Sequence, residues 1–517
     1  MFYKPEHGGI WDPTVLYRNG KYYMVSMYFK DEDVRHDFMW LAQSEDGVHW
    51  KDVGAVLEDP AGICKMFLYE TDTCVVADFG SFSEPSKVNN DTIRYYKSTD
   101  MEHWEFIGAD HPDGTWYRTT GRWDHMYVYR EKDTYYGYPV ATPHPELLSA
   151  WGLSISKDGY QWEVQAPPVI EWGEVPPIDC LEGGGMEKIG DTYYYIGGFV
   201  GYAGNYGYGL YTFTADSPKG PFRPDKEAFR LCGFDRLEGR VFIQNLAAFA
   251  RGKDDTLLIS NAVDGGGSRQ IWLLPMRKAV VDAAGHLRLG YWEGNELVKG
   301  REIPVPKEAF QLTYATLRPE APLPERCRPT VFEPSDGKLC ANVNAFYGPT
   351  VSDRHMLVTL DIPMDLTQGM VFQGILKAYS YPVYDEVRHA TENWRPASMG
   401  FFVEEEGETP RGMAISLEIG HPYKRYSIVE TIRLEQDRMN REMIDVTGED
   451  CATVRGIDAG KEYAFRFLYR RNMFELYVGG FLVQTFVNLG TGTGRIGFVL
   501  QNAKVECSDL KLYAMNL

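Results

Sequence analysis

The sequence predicts an all-β chain in which a five-bladed β-propeller is followed by a C-terminal β-sandwich. Three observations predict it: a turn motif that recurs every 54 to 60 residues, aromatic hairpins between its copies, and the loss of this repeat after a Pro-rich segment. We expect the propeller over residues 1–300, a linker over 301–325 and the sandwich over 326–517.

The recurring turn motif consists of Ser or Thr, a variable residue, Asp, a short turn and an aromatic residue. Three clear copies and a looser fourth end at Trp50, Trp104, Trp162 and Phe222. A fixed period of this length is typical of a propeller or a solenoid. The Asp of each copy is interpreted as a structural residue that accepts backbone N–H bonds within its turn.

A second element, a polar turn followed by an aromatic run, lies between these copies. It occupies residues 19–23, 132–136 and 190–195, with a weaker version at 253–257. A two-residue polar turn between β-rich runs predicts a hairpin. Each repeat then holds about four short antiparallel strands, which is one propeller blade, and about five blades fit before residue 300.

The character of the chain changes after residue 300. Residues 301–306 and 319–324 are rich in Pro and suit a semi-rigid linker. Beyond residue 326 strand-like runs continue without the blade repeat, and residues 474–486 form a strand, a Gly-Gly turn and a second strand. Several such strands predict a β-sandwich.

Composition excludes several classes of function. The 517 residues include 73 acidic and 53 basic side chains, so the net charge of −20 argues against nucleic acid and anionic membranes as partners. No apolar run is long enough to cross a bilayer, and the N-terminus has no signal-peptide pattern. Eight cysteines without a CxxC pair predict reduced thiols in a cytoplasmic protein.

Three acidic residues stand outside the turn motifs, in equivalent places of different blades. Asp12, Asp124 and Glu182 precede the turn before a Tyr-rich strand by 8, 9 and 8 residues. Because inner strands of a propeller converge on one channel, we expect these carboxyl groups to be neighbours. Glycoside hydrolysis needs a carboxylate that attacks or activates water and a carboxylic acid that protonates the leaving oxygen. No cluster has metal-ligand spacing, so neither a metal nor a cofactor is expected.

The segments around these acids resemble motifs of glycoside hydrolase family 32, the β-fructofuranosidases, which carry a sandwich after a five-bladed propeller. The similar segments are Trp11-Asp12-Pro13, residues 40–46, Arg122-Trp123-Asp124 and residues 182–189. The resemblance implies a retaining enzyme in which Asp12 is the nucleophile and Glu182 the acid/base. It implies further that Asp124 steadies the charged transition state and that Trp40 lines the pocket.

The same reading gives candidates for substrate binding. Arg122 is expected to hold ring hydroxyls together with Asp124. Trp11 and Trp116 are candidates for stacking on a sugar face, and His125 for bonding a hydroxyl group. The expected partner is a small oligosaccharide or glycoside with a terminal furanosyl unit, for which we expect fructosyl, and the oligomeric state stays open.

The sequence also departs from the family motifs. The Asn residues beside the nucleophile are missing, Trp123 separates Arg122 from Asp124, and no Cys follows Glu182. Asp179, just upstream, is therefore a second acid/base candidate.

Three alternative functions remain open. Residues 12–15, 20–23 and 182–184 fit family 43 as well, whose arabinofuranosidases and xylosidases invert configuration. The altered motifs also allow a non-catalytic sugar-binding propeller. A phosphorolytic enzyme would need a pair of basic residues near the mouth, for which Arg122 is the one candidate.

Overall fold

The computed structural model describes residues 1–30, 37–82, 90–145, 148–200, 208–233, 246–265, 270–315, 331–343, 355–380, 397–420, 425–435, 438–448, 450–488 and 490–517. The chain is all-β, with 63% of residues in strands and 3% in helices, and it has a β-propeller arrangement. It divides into two compact units, Met1–Glu296 and Leu297–Asn516, and Leu517 groups with the first.

Four separate antiparallel sheets follow one another in the first unit. The first contains β1 (Gly9–Arg18), β2 (Lys21–Phe29), β3 (Phe38–Ser44) and β4 (Lys51–Glu58). The second contains β5 (Met66–Glu70), β6 (Val75–Phe82), β7 (Asn90–Ser98) and β8 (Glu105–Asp110). The third contains β9 (Trp123–Glu131), β10 (Thr134–Ala141), β11 (Ala150–Trp151), β12 (Leu153–Ser156) and β13 (Glu163–Gln165). The fourth contains β14 (Asp179–Ile189), β15 (Thr192–Val200), β16 (Tyr208–Ala215), β17 (Arg223–Pro224) and β18 (Arg230–Cys232).

A further set of strands completes the first unit. It contains β19 (Ala248–Arg251), β20 (Leu257–Ser260), β21 (Ala262–Asp264), β22 (Ile271–Leu273), β23 (Arg277–Val281) and β24 (Leu287–Tyr291). Strands β19, β20, β23 and β24 pair in that order, and β21 pairs with β22. Three 3₁₀ turns occur among the described residues, at Lys253–Asp255, Glu293–Val298 and Lys307–Ala309.

The first strands of these sheets are arranged in a ring. Strand β1 contacts β5, β5 contacts β9, β9 contacts β14, β14 contacts β19, and β19 contacts β1. Residues near the same end of these strands therefore lie round one central opening, as a propeller requires.

The predicted capping role of the motif aspartates is confirmed in the three clear copies. Asp46 Oδ1 accepts the N–H groups of Val48 and His49 at 2.8 Å. Asp100 and Asp158 accept the N–H groups two and three residues further on in the same way. These carboxylates hold turns at the ends of strands and are structural.

Aromatic residues fill the space between neighbouring sheets. Trp151 of the third sheet stacks on Tyr195 of the fourth at 4.1 Å between ring centroids. Tyr69 of the second sheet packs in one cluster with Trp123 and Met126 of the third. Aromatic residues, which make up 14% of the chain, thus join one sheet to the next.

The second unit contains two antiparallel sheets. One runs in the order β37-β36-β35-β30-β39-β28-β27, with β25 paired to β39. Its strands are β25 (Lys299–Ile303), β27 (Val331–Ser335), β28 (Lys338–Asn342), β30 (Met370–Ser380), β35 (Glu462–Arg470), β36 (Met473–Val478), β37 (Phe481–Val487) and β39 (Ala503–Met515). The other runs β26-β29-β38-β31-β32-β33-β34. Its strands are β26 (Phe310–Ala315), β29 (His355–Leu360), β31 (Ser398–Glu405), β32 (Arg411–Glu418), β33 (Ser427–Glu435), β34 (Arg438–Thr447) and β38 (Gly492–Gln501).

Phenylalanine rings join these two sheets. Phe401 lies 4.8 Å from Phe465, and Phe372 lies 5.7 Å from Phe498, measured between ring centroids. The predicted Gly479-Gly480 turn connects β36 to β37, with both glycines at positive φ.

The segment predicted as a linker differs from the expectation in its first half. Residues 299–303 pair with β39 and residues 310–315 pair with β29, so they are strands of the second unit. Pro304 and Pro306 lie between these strands, where the missing N–H of proline costs no ladder hydrogen bond. Residues 316–325 of the predicted linker lie outside the described part of the chain.

Candidate active site

The three predicted carboxylates lie on first strands of three sheets, Asp12 on β1, Asp124 on β9 and Glu182 on β14. Each sits at a shift in strand register: between Trp11 and Thr14, opposite Pro139 and Val140, and between Cys180 and Glu182. A β-bulge turns a side chain away from the regular alternation of a strand. The three acids thus lie within the strands, and the bulges set the direction of their side chains.

Asp12 is buried, with 3% of its surface exposed, and has an unusual backbone. Its φ of +48° falls in the left-handed region, which residues other than Gly rarely adopt. Pro13 follows, and residues 12 and 13 take no part in the β1–β2 pairing. Beside them Thr14 Oγ1 donates to the carbonyl of Met66 at 3.2 Å, which ties this stretch to β5.

Asp124 is buried among hydrogen-bond donors. Its Oδ2 accepts Arg122 Nη2 at 2.7 Å, and its Oδ1 accepts the His125 backbone N–H at 2.9 Å. Burial alone would raise the pKa of Asp124, but His125 and Arg122 outweigh burial and hold this pKa well below its ordinary value. Asp124 is therefore an ionised carboxylate at every physiological pH.

The side chain of His125 is fully buried next to Asp124. Its Nε2 accepts the Gly183 N–H at 3.3 Å, and its Nδ1 lies 3.3 Å from Asp124 Oδ1. An Nε2 that accepts a hydrogen bond belongs to a neutral ring with its proton on Nδ1. Burial also lowers the pKa of His125, although Asp124 opposes this. His125 thus links Asp124 to the strand that carries Glu182.

The surroundings of Glu182 shift its pKa in the opposite direction from that of Asp124. Burial raises its pKa to about 8; the charges of Asp12 and Asp124 add to this, while Lys65 and Arg122 oppose it. The Tyr208 hydroxyl lies 3.3 Å from Glu182 Oε2. At neutral pH this carboxyl group holds its proton, which is the state that a general acid needs.

The site contains a residue that sequence reasoning missed, Lys65. It precedes β5 and is 3% exposed, and its Nζ donates to the Asp12 carbonyl at 3.1 Å. Its charge acts on both Asp12 and Glu182. One signal was available in the sequence: Lys65 holds in the second sheet the place that the three acids hold in the first, third and fourth sheets.

The remaining predicted residues are placed as follows. Arg122 lies beside Asp124 and also donates to the Leu181 carbonyl, which joins β9 to β14. Trp11 is partly buried between two hydrophobic clusters. Trp40 is a core residue. Its ring stacks on that of Tyr28 with 4.4 Å between ring centroids, and its Nε1 donates to the Tyr3 hydroxyl at 2.8 Å.

Trp116 and Asp179 have local roles in the structure. Trp116 is 45% exposed, and its backbone N–H donates to Asp113 Oδ1 in a turn. Asp179 begins β14 and accepts the Ser149 N–H at 2.7 Å. The assignment of Trp40 and Trp116 to a sugar pocket, and of Asp179 as a second acid, therefore stays a prediction.

Within the described ranges, no three His, Cys, Asp or Glu side chains are grouped in a way that could hold a metal ion. Likewise, no helix in the part of the chain that the structure covers is long and apolar enough to span a membrane.

No family model and no curated protein sequence matches this chain. Solved structures do. A sucrose-6-phosphate hydrolase of Lactobacillus gasseri has a TM-score of 0.63 and 10% identity, covering 100% of this chain and 93% of that one. Fructan 1-exohydrolase IIa of Cichorium intybus has a TM-score of 0.60 and 12% identity, with coverage of 100% and 96%.

A third similar structure is a family 32 β-fructofuranosidase of Bombyx mori in complex with sucrose. Its TM-score is 0.58 with 11% identity, and the match covers 99% of this chain and 92% of that one. The resemblance to family 32 that the motifs predicted is thus confirmed at the level of the fold, over nearly the whole length of the chain.

Proposed function

We propose that this chain is a glycoside hydrolase that releases terminal furanosyl units by a retaining double displacement, with fructosyl as the proposed unit. The observation that carries the proposal is the convergence of Asp12, Asp124 and Glu182. Within this group the pKa of Asp124 is lowered, whereas that of Glu182 is raised. The fold shared with fructoside-hydrolysing enzymes supports it.

In the proposed reaction the Asp12 carboxylate attacks the anomeric carbon while Glu182 gives its proton to the leaving oxygen. A covalent glycosyl-enzyme results. Glu182, now ionised, takes a proton from water, which then releases the sugar from Asp12. The ionised Asp124, held by Arg122, stabilises the positive charge that develops on the sugar ring and accepts hydrogen bonds from its hydroxyl groups.

We also infer the finer architecture. The ring of β1, β5, β9, β14 and β19 supports five blades, with β19, β20, β23 and β24 as the fifth. The phenylalanine contacts between the two sheets of the second unit support a β-sandwich. A domain boundary near residue 300 and a cytoplasmic location are likewise proposals.

The test is an assay on a panel of sucrose, inulin-type and levan-type oligosaccharides and arabinofuranosides, with the product anomer followed by NMR. We expect fructose to be released with retained configuration. Asp12→Asn and Glu182→Gln should each lower kcat by roughly 10³-fold or more with the fold intact. First-formed product of inverted configuration would favour the family 43 mechanism, and full activity in either variant would reject the assignment.

A second candidate, phosphorolysis, gains one observation from Lys65. Together with Arg122 it places two cations beside the carboxylates. Both cations already bond protein oxygens, Lys65 to the Asp12 carbonyl and Arg122 to Asp124, which favours hydrolysis. Turnover that requires added inorganic phosphate would reverse this order.

A further inference from the structure

Lys65 is a buried lysine in the place where the first, third and fourth sheets present acids. It immediately precedes β5, the first strand of the second sheet, and only 3% of it is exposed. Burying an ammonium group without a partner is costly, so a lysine in this position needs nearby acceptors and negative charge. Its acceptor is the Asp12 carbonyl, at 3.1 Å from Nζ.

This hydrogen bond supports the bulge of β1. Residues 12 and 13 are skipped in the pairing with β2, and Asp12 has a φ of +48°. A non-Gly residue keeps such a conformation only where its surroundings enforce it. The Lys65 ammonium, reaching across from the second sheet, is one of the groups that does so.

The charge of Lys65 acts on both reacting carboxyl groups. Burial lowers the pKa of Lys65, and the charges of Asp12 and Glu182 oppose that effect. The same charge lowers the pKa of Glu182. Asp124, by contrast, has Arg122 as its own cation.

We propose that Lys65 is a positioning residue of this site: it holds the Asp12 carbonyl, and with it the bulge that aims the Asp12 carboxylate, and it supplies the counter-charge for Asp12 and Glu182. The expected effect of Lys65 on kcat and kcat/KM rests on the proposed function. Its expected effect on the ionisation of Glu182 does not. In chemical terms, the charge of Lys65 offsets part of the mutual repulsion of Asp12 and Glu182.

The direct test is an infrared pH titration that needs no substrate. The wild-type spectrum minus that of Glu182→Gln isolates the titration of the Glu182 carboxyl group. Among the described residues, the other titratable groups near Glu182 and Lys65 are Asp12 of β1, Arg122 just before β9, Asp124 and His125 of β9, Cys180 of β14 and Tyr208 of β16. These stay unchanged throughout the comparison.

Lys65→Met keeps the length of the side chain and removes its charge. We expect the Glu182 titration to move to higher pH by at least about one unit, because Lys65 lowers the pKa of Glu182. Lys65→Arg keeps the charge and should restore most of the wild-type titration. Lys97→Met, on β7 of the same sheet, removes a lysine that pairs with Glu105 at the surface and should leave the titration unchanged.

An unchanged titration in Lys65→Met, or an equal shift in Lys65→Arg, would overturn the proposal. If Lys65→Met does not fold, Lys65→Gln keeps an N–H donor for the Asp12 carbonyl without the charge, and the same shift is expected.

The kinetic arm uses sucrose as the probe. Lys65→Met should lower kcat at least 100-fold and move the basic limb of kcat/KM to higher pH together with the Glu182 titration. A rise in KM with kcat and the limb unchanged would instead make Lys65 a substrate-binding residue and refute the positioning role. Failure of the wild type to turn over any fructoside rejects the proposed function, and the infrared result still decides the role of Lys65.

Discussion

Glu182 and Asp124 face the same opening on neighbouring strands, yet their carboxyl groups differ in ionisation. Asp124 lies beside the His125 ring and the Arg122 guanidinium, and these two groups outweigh the effect of burial on its pKa. Glu182 lies near two other acids, and burial raises its pKa to about 8. Pairs of carboxyl groups with such opposite settings mark acid/base sites.

This difference makes stability depend on pH. In the unfolded chain Glu182 ionises near the ordinary value of 4.5, whereas in the fold it ionises near 8. The fold therefore carries no penalty from Glu182 below about pH 4.5, and it loses stability as the pH rises from there to about 8.

Glu182→Gln should remove this loss. At pH 7 we expect the variant to be more stable than the wild type by roughly 1–3 kcal/mol, and at pH 4.5 about equal. Urea unfolding at both pH values measures this, and Glu163→Gln on the exposed strand β13 serves as the control. Equal stability of variant and wild type at pH 7 would show that Glu182 ionises normally.

At the scale of elements, the bulged first strands depend on close contacts with the neighbouring sheet. Gly80 on β6 lies against Asp124 of β9, and a Cβ at Gly80 would meet Asp124 Oδ1 at 1.6 Å. Glycine is required here because the carboxylate occupies the space of a side chain. The second sheet therefore shapes a site to which it contributes no acid of the predicted trio.

Gly80→Ala should displace the Asp124 carboxylate from Arg122. We expect kcat on the fructoside substrate to fall at least about 100-fold, because the stabilisation of transition-state charge depends on that position. Gly448→Ala is the matched control, since its new Cβ would have one neighbour, at 3.6 Å. Normal kcat in Gly80→Ala would mean that the Asp124 position is not critical.

The motif turns provide a second prediction about elements. Asp46→Ala removes an oxygen that accepts two backbone N–H groups and contacts Ser44. We expect a loss of about 1–2 kcal/mol in the free energy of unfolding, with kcat unchanged, because the turn lies away from the carboxylates. Glu45→Ala in the same turn should cost less than about 0.5 kcal/mol, since Glu45 pairs only at the surface with Lys21. A cost for Asp46→Ala as small as that of Glu45→Ala would contradict the capping role.

At the scale of the whole molecule, repetition made much of the fold predictable. The 54 to 60 residue period, the polar turns and the similar offsets of Asp12, Asp124 and Glu182 are visible in the sequence because each blade repeats one pattern. Two features were not predictable. The bulges depend on tertiary contacts, such as Lys65 with Asp12, and the strands at 299–303 and 310–315 form by pairing with distant β39 and β29.

The electrostatics of the whole site predict the pH dependence of activity. Glu182 must be protonated to act as an acid, and its pKa is raised to about 8. Activity should therefore persist through neutral pH and fall above about pH 8 as Glu182 ionises. A kcat/KM profile on sucrose checks this, with sucrose stable over the range as the control. A fall that is already complete below pH 6 would contradict the raised pKa.

In the proposed reaction Asp12 becomes covalently bound to the sugar. Mass spectrometry of the trapped glycosyl-enzyme tests this step most directly. Glu182→Gln is incubated with a fructofuranoside that has an activated leaving group, then quenched in acid and digested. We expect one added glycosyl unit on the peptide that contains Asp12, and none when Asp12→Asn is combined with Glu182→Gln. A glycosyl unit on another carboxylate, or turnover with inverted configuration and no adduct, would contradict it.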